Sequence, residues 1–307
     1  MTPEGFEDLV RPYRRELAAH CYRMLGSLAD AEDQVQETLL RAWRGIDGFA
    51  GRSSVKSWLY RIATNACLDM LRARPRRELP MEISPPHDPA KPLPATNPEI
   101  SWLEPAPATL VGPDATFASR ESVQLAFMTA LQRLPAMQRA AVLLADVLEW
   151  QVAEIAELLE STPAAINSAL QRARATLEGA RNRPSRPVDR ALLERYMQAW
   201  ERGDSAAFAA LLHEDVLVSM PPMPAWFRGR DAVVAFLAPR MVPGVQRIVP
   251  VDGADDVAFA FYRRAEDADY TARAIEVLLW EDGLVREIHA FFDRGLVERW
   301  GVPAILR

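Results

Sequence analysis

Trp58, Tyr60, Arg61 and Asn65 bring two flat rings, a cation and an amide close together in the chain, with Arg52 and Ser53 just upstream. Aromatic faces stack on unpaired bases at roughly 1 to 3 kcal/mol each while arginines follow phosphates, so this set suits a single nucleic-acid strand. Either ring is also at home in a core. Ahead of it, Asp30, Asp33, Gln36, Glu37 and Arg41 make a mainly acidic set that suits docking on another protein, although capping and solvation account for the acids taken alone. Further on, Asn167, Ser168, Gln171, Arg172 and Arg174 offer amides and cations that can read base edges, Asn and Gln gripping adenine in a bidentate way. Near the end of the chain His289 and Asp293 offer an imidazole and a carboxyl group that would serve the structure, contact a ligand, or move a proton if burial shifted their pKa values.

The elements that must position these groups follow from hydrophobic spacing. Val35, Leu39, Ala42 and Trp43 recur at helical intervals, which turns Asp33, Gln36, Glu37 and Arg41 outward, with Asp30 as the expected cap. Val55, Leu59, Ile62, Ala66 and Met70 predict a second helix, capped by Ser53 or Ser54 and ending in Arg72, Arg74, Arg76 and Arg77. Leu134-Pro135 opens a third helix through Val147. A short helix from Val152 to Leu159, a turn at Glu160-Ser161-Thr162 and a last helix from Pro163 follow, its inner face built from Ile166, Leu170, Ala173 and Leu177. That is helix-turn-helix spacing, which a plain helical bundle also shows.

The strings from Asp30 to Trp43 and from Trp58 to Asp69 resemble region 2 of the extracytoplasmic-function sigma factors of the sigma-70 family, and residues 134–177 resemble their region 4. The resemblance implies a bacterial RNA polymerase subunit with two all-α domains. It implies that Asp30, Asp33, Gln36, Glu37 and Arg41 bind the clamp helices of the largest core RNA polymerase subunit. Arg52, Ser53, Trp58, Tyr60, Arg61 and Asn65 would melt the minus-10 promoter DNA and capture a flipped base. Asn167, Ser168, Gln171, Arg172 and Arg174 would meet the minus-35 element, with a contact to the polymerase flap. Gln34 and Leu39 depart from the family pattern, as do Asn167 and Ala169, which stand where cations are usual; fewer cations weaken phosphate attraction.

From Pro75 to Pro113 the chain holds eleven of its 24 prolines and is expected to run extended as a linker, which the resemblance threads through a polymerase channel near the template strand, with Trp102-Leu103-Glu104 as the apolar spot that anchors it. Beyond it, a helix around Tyr196 and Trp200 and a short one through Phe208 and Leu212 precede a strand at Val216 to Met220; a helix at Asp231 to Leu237 and strands at Val257 to Arg263, Thr271 to Trp280 and Leu284 to Phe292 follow, the order of an α+β domain. This order resembles the cone-shaped SnoaL-like fold related to nuclear transport factor 2 and ketosteroid isomerase, whose open apolar mouth implies that Tyr196, Trp226, His289, Phe291 and Asp293 line a pocket. The expected fold class is therefore multidomain, with sigma region 2 at 1–78, a Pro-rich linker at 79–116, region 4 at 117–186 and a SnoaL-like regulatory domain at 187–307, which would hold a small apolar ligand.

The net charge of -6 is unevenly spread. Residues 1–78 carry 13 Lys+Arg against 11 Asp+Glu and residues 117–186 carry 8 against 7, a near-neutral balance suited to DNA affinity borrowed from a larger enzyme. Cys21 and Cys67 read as buried thiols. No cofactor, no metal site and no membrane span is expected, and the location expected is cytoplasmic. The expected function is a non-enzymatic promoter-recognition factor modulated by its C-terminal domain. An isomerase-like enzyme with a helical regulatory half, or a simple helix-turn-helix activator, are the alternatives.

Overall fold

The structure, a computed structural model, describes residues 2–307 except 50, 52–53, 74–75, 98, 112–123, 182–189, 254–256 and 265–268. The expected boundaries at 116/117 and 186/187 lie outside the described residues. The chain divides into two compact units, one of Met1–Arg77 with Ala108–Arg183 and one of Glu78–Pro107 with Pro184–Arg307.

The first unit is helical. Its elements are α1 (Pro3–Val10), α2 (Arg14–Leu25), α3 (Leu28–Gly45) and α4 (Val55–Ala73), then α6 (Leu125–Gln132), α7 (Ala136–Val142), α8 (Val152–Leu158) and α9 (Pro163–Arg181), with α5 (Pro80–Ile83) belonging to the other unit. Gly26, in the left-handed region at φ 72°, ends α2, and Ser27 rather than Asp30 caps α3, its hydroxyl accepting from the Asp30 N–H at 3.3 Å. Asp30 thus sits one turn into the helix. Ser54 caps α4 by accepting from the Ser57 N–H at 3.0 Å. Val35, Leu39 and Ala42 of α3 and Leu59 and Ala66 of α4 are buried as their spacing predicts, whereas Trp43, Val55, Ile62 and Met70 are half-buried and Ala63 joins the buried side of α4. The third expected helix is interrupted: after Val142 the backbone widens into a π turn over Leu143–Val147. Pro163 occupies the first turn of α9, and Ile166, Leu170, Ala173 and Leu177 form its buried face.

The second unit is α+β. α10 (Arg190–Arg202), α11 (Ser205–Ala210) and α12 (Arg230–Leu237) accompany strands β1 (Leu212–Ser219), β2 (Trp226–Arg228), β3 (Gln246–Asp252), β4 (Val257–Arg263), β5 (Tyr270–Glu281), β6 (Leu284–Phe291) and β7 (Ile305–Leu306), with α13 (Arg294–Arg299) between the last two. The sheet order is β2-β1-β6-β5-β4-β3, with β7 on β5. The strands are antiparallel except that β1 runs parallel to β6, a crossover that a plain antiparallel reading does not anticipate. One face carries Phe259, Phe261, Ala274, Leu278, Ile288 and Ala290 and packs against Tyr196, Trp200, Phe208 and Phe236. The opposite face includes Ile275, Val277, His289 and Phe291, since each is one residue out of phase with that set.

The proline-rich segment does more than run extended. Glu82 accepts from the Leu79 N–H at 3.1 Å and fixes the turn of α5, and Glu78 bridges to Trp102 in parallel. Residues 84–93 lie as a strap on the second unit. Trp226 donates its indole N–H to the Ser84 carbonyl at 2.7 Å, the His87 N–H donates to the Trp226 carbonyl at 2.7 Å, the Ser84 hydroxyl donates to the Pro224 carbonyl at 3.2 Å, and Leu93 packs against the domain core. Prolines remove backbone donors, so a strap of this composition holds on through few but well-placed bonds.

Candidate nucleic-acid interface

On α3 the side chains of Asp33 and Gln36 are exposed and Glu37 is half-buried, so the acidic face exists as a surface. Glu37 accepts from Arg41 at 2.6 Å, and Arg41 reaches Asp69 of α4 at 3.2 Å, which raises the Arg41 pKa chiefly through the Glu37 bond. Asp30 differs from expectation. Its carboxylate is buried against Arg77, because the helix begins at Leu28 and carries position 30 onto the inner side. Leu40, 44% exposed and one turn beyond Gln36, completes the outward face with an apolar group. Its exposure was readable from the spacing, since position 40 falls between the buried positions 39 and 42.

On α4 the sets separate. Trp58, Arg61 and Asn65, at i, i+3 and i+7, share one side, where Arg61 and Asn65 are exposed and Trp58 is half-buried over Phe49 with ring centroids 4.8 Å apart. Tyr60 points the other way, 1% exposed, donating its hydroxyl to Glu16 at 3.3 Å and meeting His20 edge-on at 5.2 Å. Burial raises its pKa, with the Glu16 charge adding to the effect. Tyr60 is therefore a core aromatic and not a base-stacking platform. Arg52 and Ser53 lie outside the described residues.

The helix-turn-helix forms as spaced. Glu154 accepts from the Gln151 N–H at 2.9 Å and starts α8. Asn167, Ser168, Gln171, Arg172 and Arg174 are all exposed on α9. Ser168 spends its hydroxyl on the Ala164 carbonyl at 3.0 Å, and Arg174 grips the Asp146 carboxylate at 2.6 Å, which raises the Arg174 pKa and makes that side chain a strut to the π turn. Asn167, Gln171 and Arg172 remain presented to solvent.

The two helical segments touch. Arg61 donates to Glu157 of α8 at 2.9 Å, and Tyr60 meets Trp150 edge-on at 6.3 Å. Arg139 of α7 is 3% exposed and donates to the Met24 carbonyl at the end of α2 as well as to Gln132 Oε1 at 2.7 Å and the Gln132 carbonyl at 2.9 Å. Burial lowers its pKa to about 10, and Arg76 pushes in the same direction. A lone arginine in a helical repeat carries no periodic signal, which is why the sequence pattern does not single it out.

In the second unit the candidate pocket set divides between the two faces of the sheet. Tyr196 lies in the interior and donates to Glu276 at 3.3 Å, whose pKa burial raises to about 7. His289 lies on the opposite face, bonded to Ser219 at 2.7 Å and Glu287 at 3.0 Å, and Phe291 shares that face. Ser219, His289 and Glu287 are in a hydroxyl-imidazole-carboxylate chain, but the Ser219 side chain has no exposure to a substrate. Asp293 caps α13 by accepting from the Leu296 N–H at 2.7 Å. Trp226 holds the strap. The expectation that these residues line one pocket is corrected by the strand phase: Ile288, Ala290 and Phe292 face the interior, and His289 and Phe291 do not.

Among the described residues no His/Cys/Asp/Glu group suits a metal ion, and no helix is long and apolar enough to cross a membrane. Cys21 and Cys67 are buried free thiols.

Comparison with known proteins follows the same divisions. Residues 9–77 match the family model of sigma-70 region 2, residues 124–177 that of sigma-70 region 4, and residues 193–288 the SnoaL-like domain. The chain is 42% identical over 312 residues to the ECF RNA polymerase sigma factor SigG of Mycobacterium tuberculosis, covering 97% of this chain and 84% of that protein. It is 33% identical over 258 residues to SigJ of the same organism, covering 80% and 76%. The crystal structure of the extracytoplasmic function sigma factor SigJ aligns over 99% of this chain and 100% of that one with a TM-score of 0.58 at 24% identity, a likeness of fold.

Proposed function

The chain belongs to the extracytoplasmic-function sigma factors of RNA polymerase, which bind the core enzyme and promoter DNA, and from that premise we propose how its own residues divide the work. Asp33, Gln36, Glu37 and Arg41 with Leu40 dock on the clamp helices of the largest polymerase subunit. Trp58, Arg61 and Asn65 open the minus-10 duplex, joined by Arg52 and Ser53. Asn167, Ser168, Gln171 and Arg172 meet the minus-35 element, Arg174 holds their helix in place, and the region 4 segment reaches the polymerase flap. The factor works where the polymerase does, in the cytoplasm.

The observation that carries this reading is the row of half-buried Trp58 and exposed Arg61 and Asn65 on one side of α4, which continues beside the acidic face of α3 through the Arg41 to Asp69 bridge. Rings and amides on such a row can capture a base once it leaves the stack, and the unstacking cost falls on a duplex already held by the polymerase. Reconstitution with core polymerase tests the division: charge reversal at Asp33 and Glu37 abolishes holoenzyme assembly, whereas alanine at Trp58 and Asn65 leaves assembly intact and blocks bubble opening. Normal opening by the Trp58 and Asn65 variants defeats the assignment.

The C-terminal unit, in this reading, modulates the factor and performs no turnover. The strap supports it. By holding residues 84–93, the SnoaL-like domain withholds part of the linker from the polymerase channel, and release of the strap raises initiation.

A further inference from the structure

A cavity of about 480 Å³ opens in the second unit, lined by Phe261, Arg263, Arg264, Arg273 and Phe292. Its size falls in the range of small-molecule sites. Among the described residues two phenyl rings and three guanidinium groups line it, and no carboxylate does. Phe261 and Arg263 share one face of β4, and Arg273 is the extra residue of a bulge between the pairs Phe261 to Ala274 and Tyr262 to Ala272, a device that re-aims a side chain. Arg264 stands over the Tyr270 ring at 5.1 Å. The side chains of Arg263 and Arg273 make no ion pair among the described residues.

The direction of the cavity is set by what lies behind it. Trp200 meets Phe261 edge-on at 5.6 Å, and one step further along β5 the buried Glu276 faces Tyr196. Glu276 lies beyond the lining, two residues from Ala274 on the same face of β5, and a carboxyl group on that side disfavours an anion there, so an anionic group belongs at the arginine rim and an apolar body between the phenyl rings. We propose that this cavity binds a small arene carrying one anionic group, a carboxylate or its sulfonate equivalent, with the anion on Arg263 and Arg273 and the ring between Phe261 and Phe292. Guanidinium forks grip such planar anions in a bidentate way. The site is separate from Tyr196, His289 and Asp293, and its occupancy does not depend on how the domain acts on transcription.

The test uses the full chain without polymerase. Fluorescence titration compares anilinonaphthalenesulfonate with N-phenylnaphthylamine, which has the same apolar body without the anion. The sulfonate is expected to bind at least about tenfold more tightly, and Arg263→Gln with Arg273→Gln to remove that advantage while leaving the amine unaffected. Naphthoate should displace the sulfonate from the unaltered protein, and naphthalenemethanol should not, a comparison that needs no variant. Equal affinity for the charged and uncharged probes, an unchanged sulfonate affinity in the double variant, or equal displacement by the alcohol overturns the proposal.

Discussion

Arg61 of α4 and Glu157 of α8 in the helix-turn-helix form an ion pair at 2.9 Å, so a cation proposed for promoter contact is held by a carboxylate of the other helical segment. The two side chains are 44% and 71% exposed, and such a pair contributes less than about 1 kcal/mol to stability in water. Glu157→Gln should leave the unfolding midpoint nearly unchanged while freeing Arg61. The expected result is tighter binding of the free factor to a minus-10 single strand, read by fluorescence anisotropy, with the gain shrinking as salt rises. Equal affinity at low salt would show that the pair does not restrain Arg61.

Arg139 is a different kind of contact. It is buried, and its donors satisfy a carbonyl at the end of α2 and two acceptors of Gln132. Arg139→Met keeps the stem and removes the donors, leaving those acceptors enclosed and unpaired at a cost of roughly 2 to 4 kcal/mol. Chemical denaturation should show that loss in the helical unit. A change below about 0.5 kcal/mol would mean water replaces the guanidinium.

Stability should respond to pH in opposite directions in the two units. In the second, burial raises the Glu276 pKa from 4.5 to about 7, the Tyr196 bond pulling back only in part. The folded state therefore binds the proton more tightly, and its advantage is full below about 4.5 and is lost as pH rises through about 7. Glu276→Gln should abolish that loss, a difference on the order of 3 kcal/mol between acid and alkaline conditions. In the first unit burial, with Arg23 adding, lowers the His20 pKa from 6.5 to about 3. There the unfolded chain takes the proton first, so stability falls as pH drops below about 6.5. Unfolding followed separately in each unit across that range checks both signs.

How far the sequence could be read depended on periodicity. Helices α3, α4, α8 and α9 announce themselves because one side of each is buried along a repeating interval, and the helix-turn-helix follows from the same rule together with Pro163 at the first turn. Single contacts leave no such trace. Asp30 looked like a cap because acids favour helix starts, yet Ser27 three residues earlier takes that place and turns Asp30 toward Arg77. Tyr60 lies between Trp58 and Arg61 in sequence but a helix turns about 100° per residue, which points it into the core. The parity of β6 was evident, with His289 and Phe291 on one side and Phe292 on the other, but alternation does not say which side faces the helices; α10 settles that by packing on Phe259 and Phe261.

The strap yields the sharpest prediction about regulation. Trp226→Phe keeps the ring and deletes the indole N–H that donates to the Ser84 carbonyl, a loss of about 1 kcal/mol. The His87 amide, which donates to the Trp226 carbonyl, should then exchange its hydrogen faster, and residues 84–93 should be cut sooner by protease. If the domain restrains the factor through this segment, the variant raises initiation by reconstituted polymerase. A chain truncated after Arg183, which lacks Trp226 altogether, raises it further. Adding Trp226→Phe cannot alter the truncated chain, so an intact-chain variant with Ser84→Ala as well should fall between the two, since both substitutions weaken one contact and their effects combine on a single release step. Initiation that stays at the unaltered level while hydrogen exchange at His87 accelerates would separate strap opening from transcription and leave the domain to act by another route.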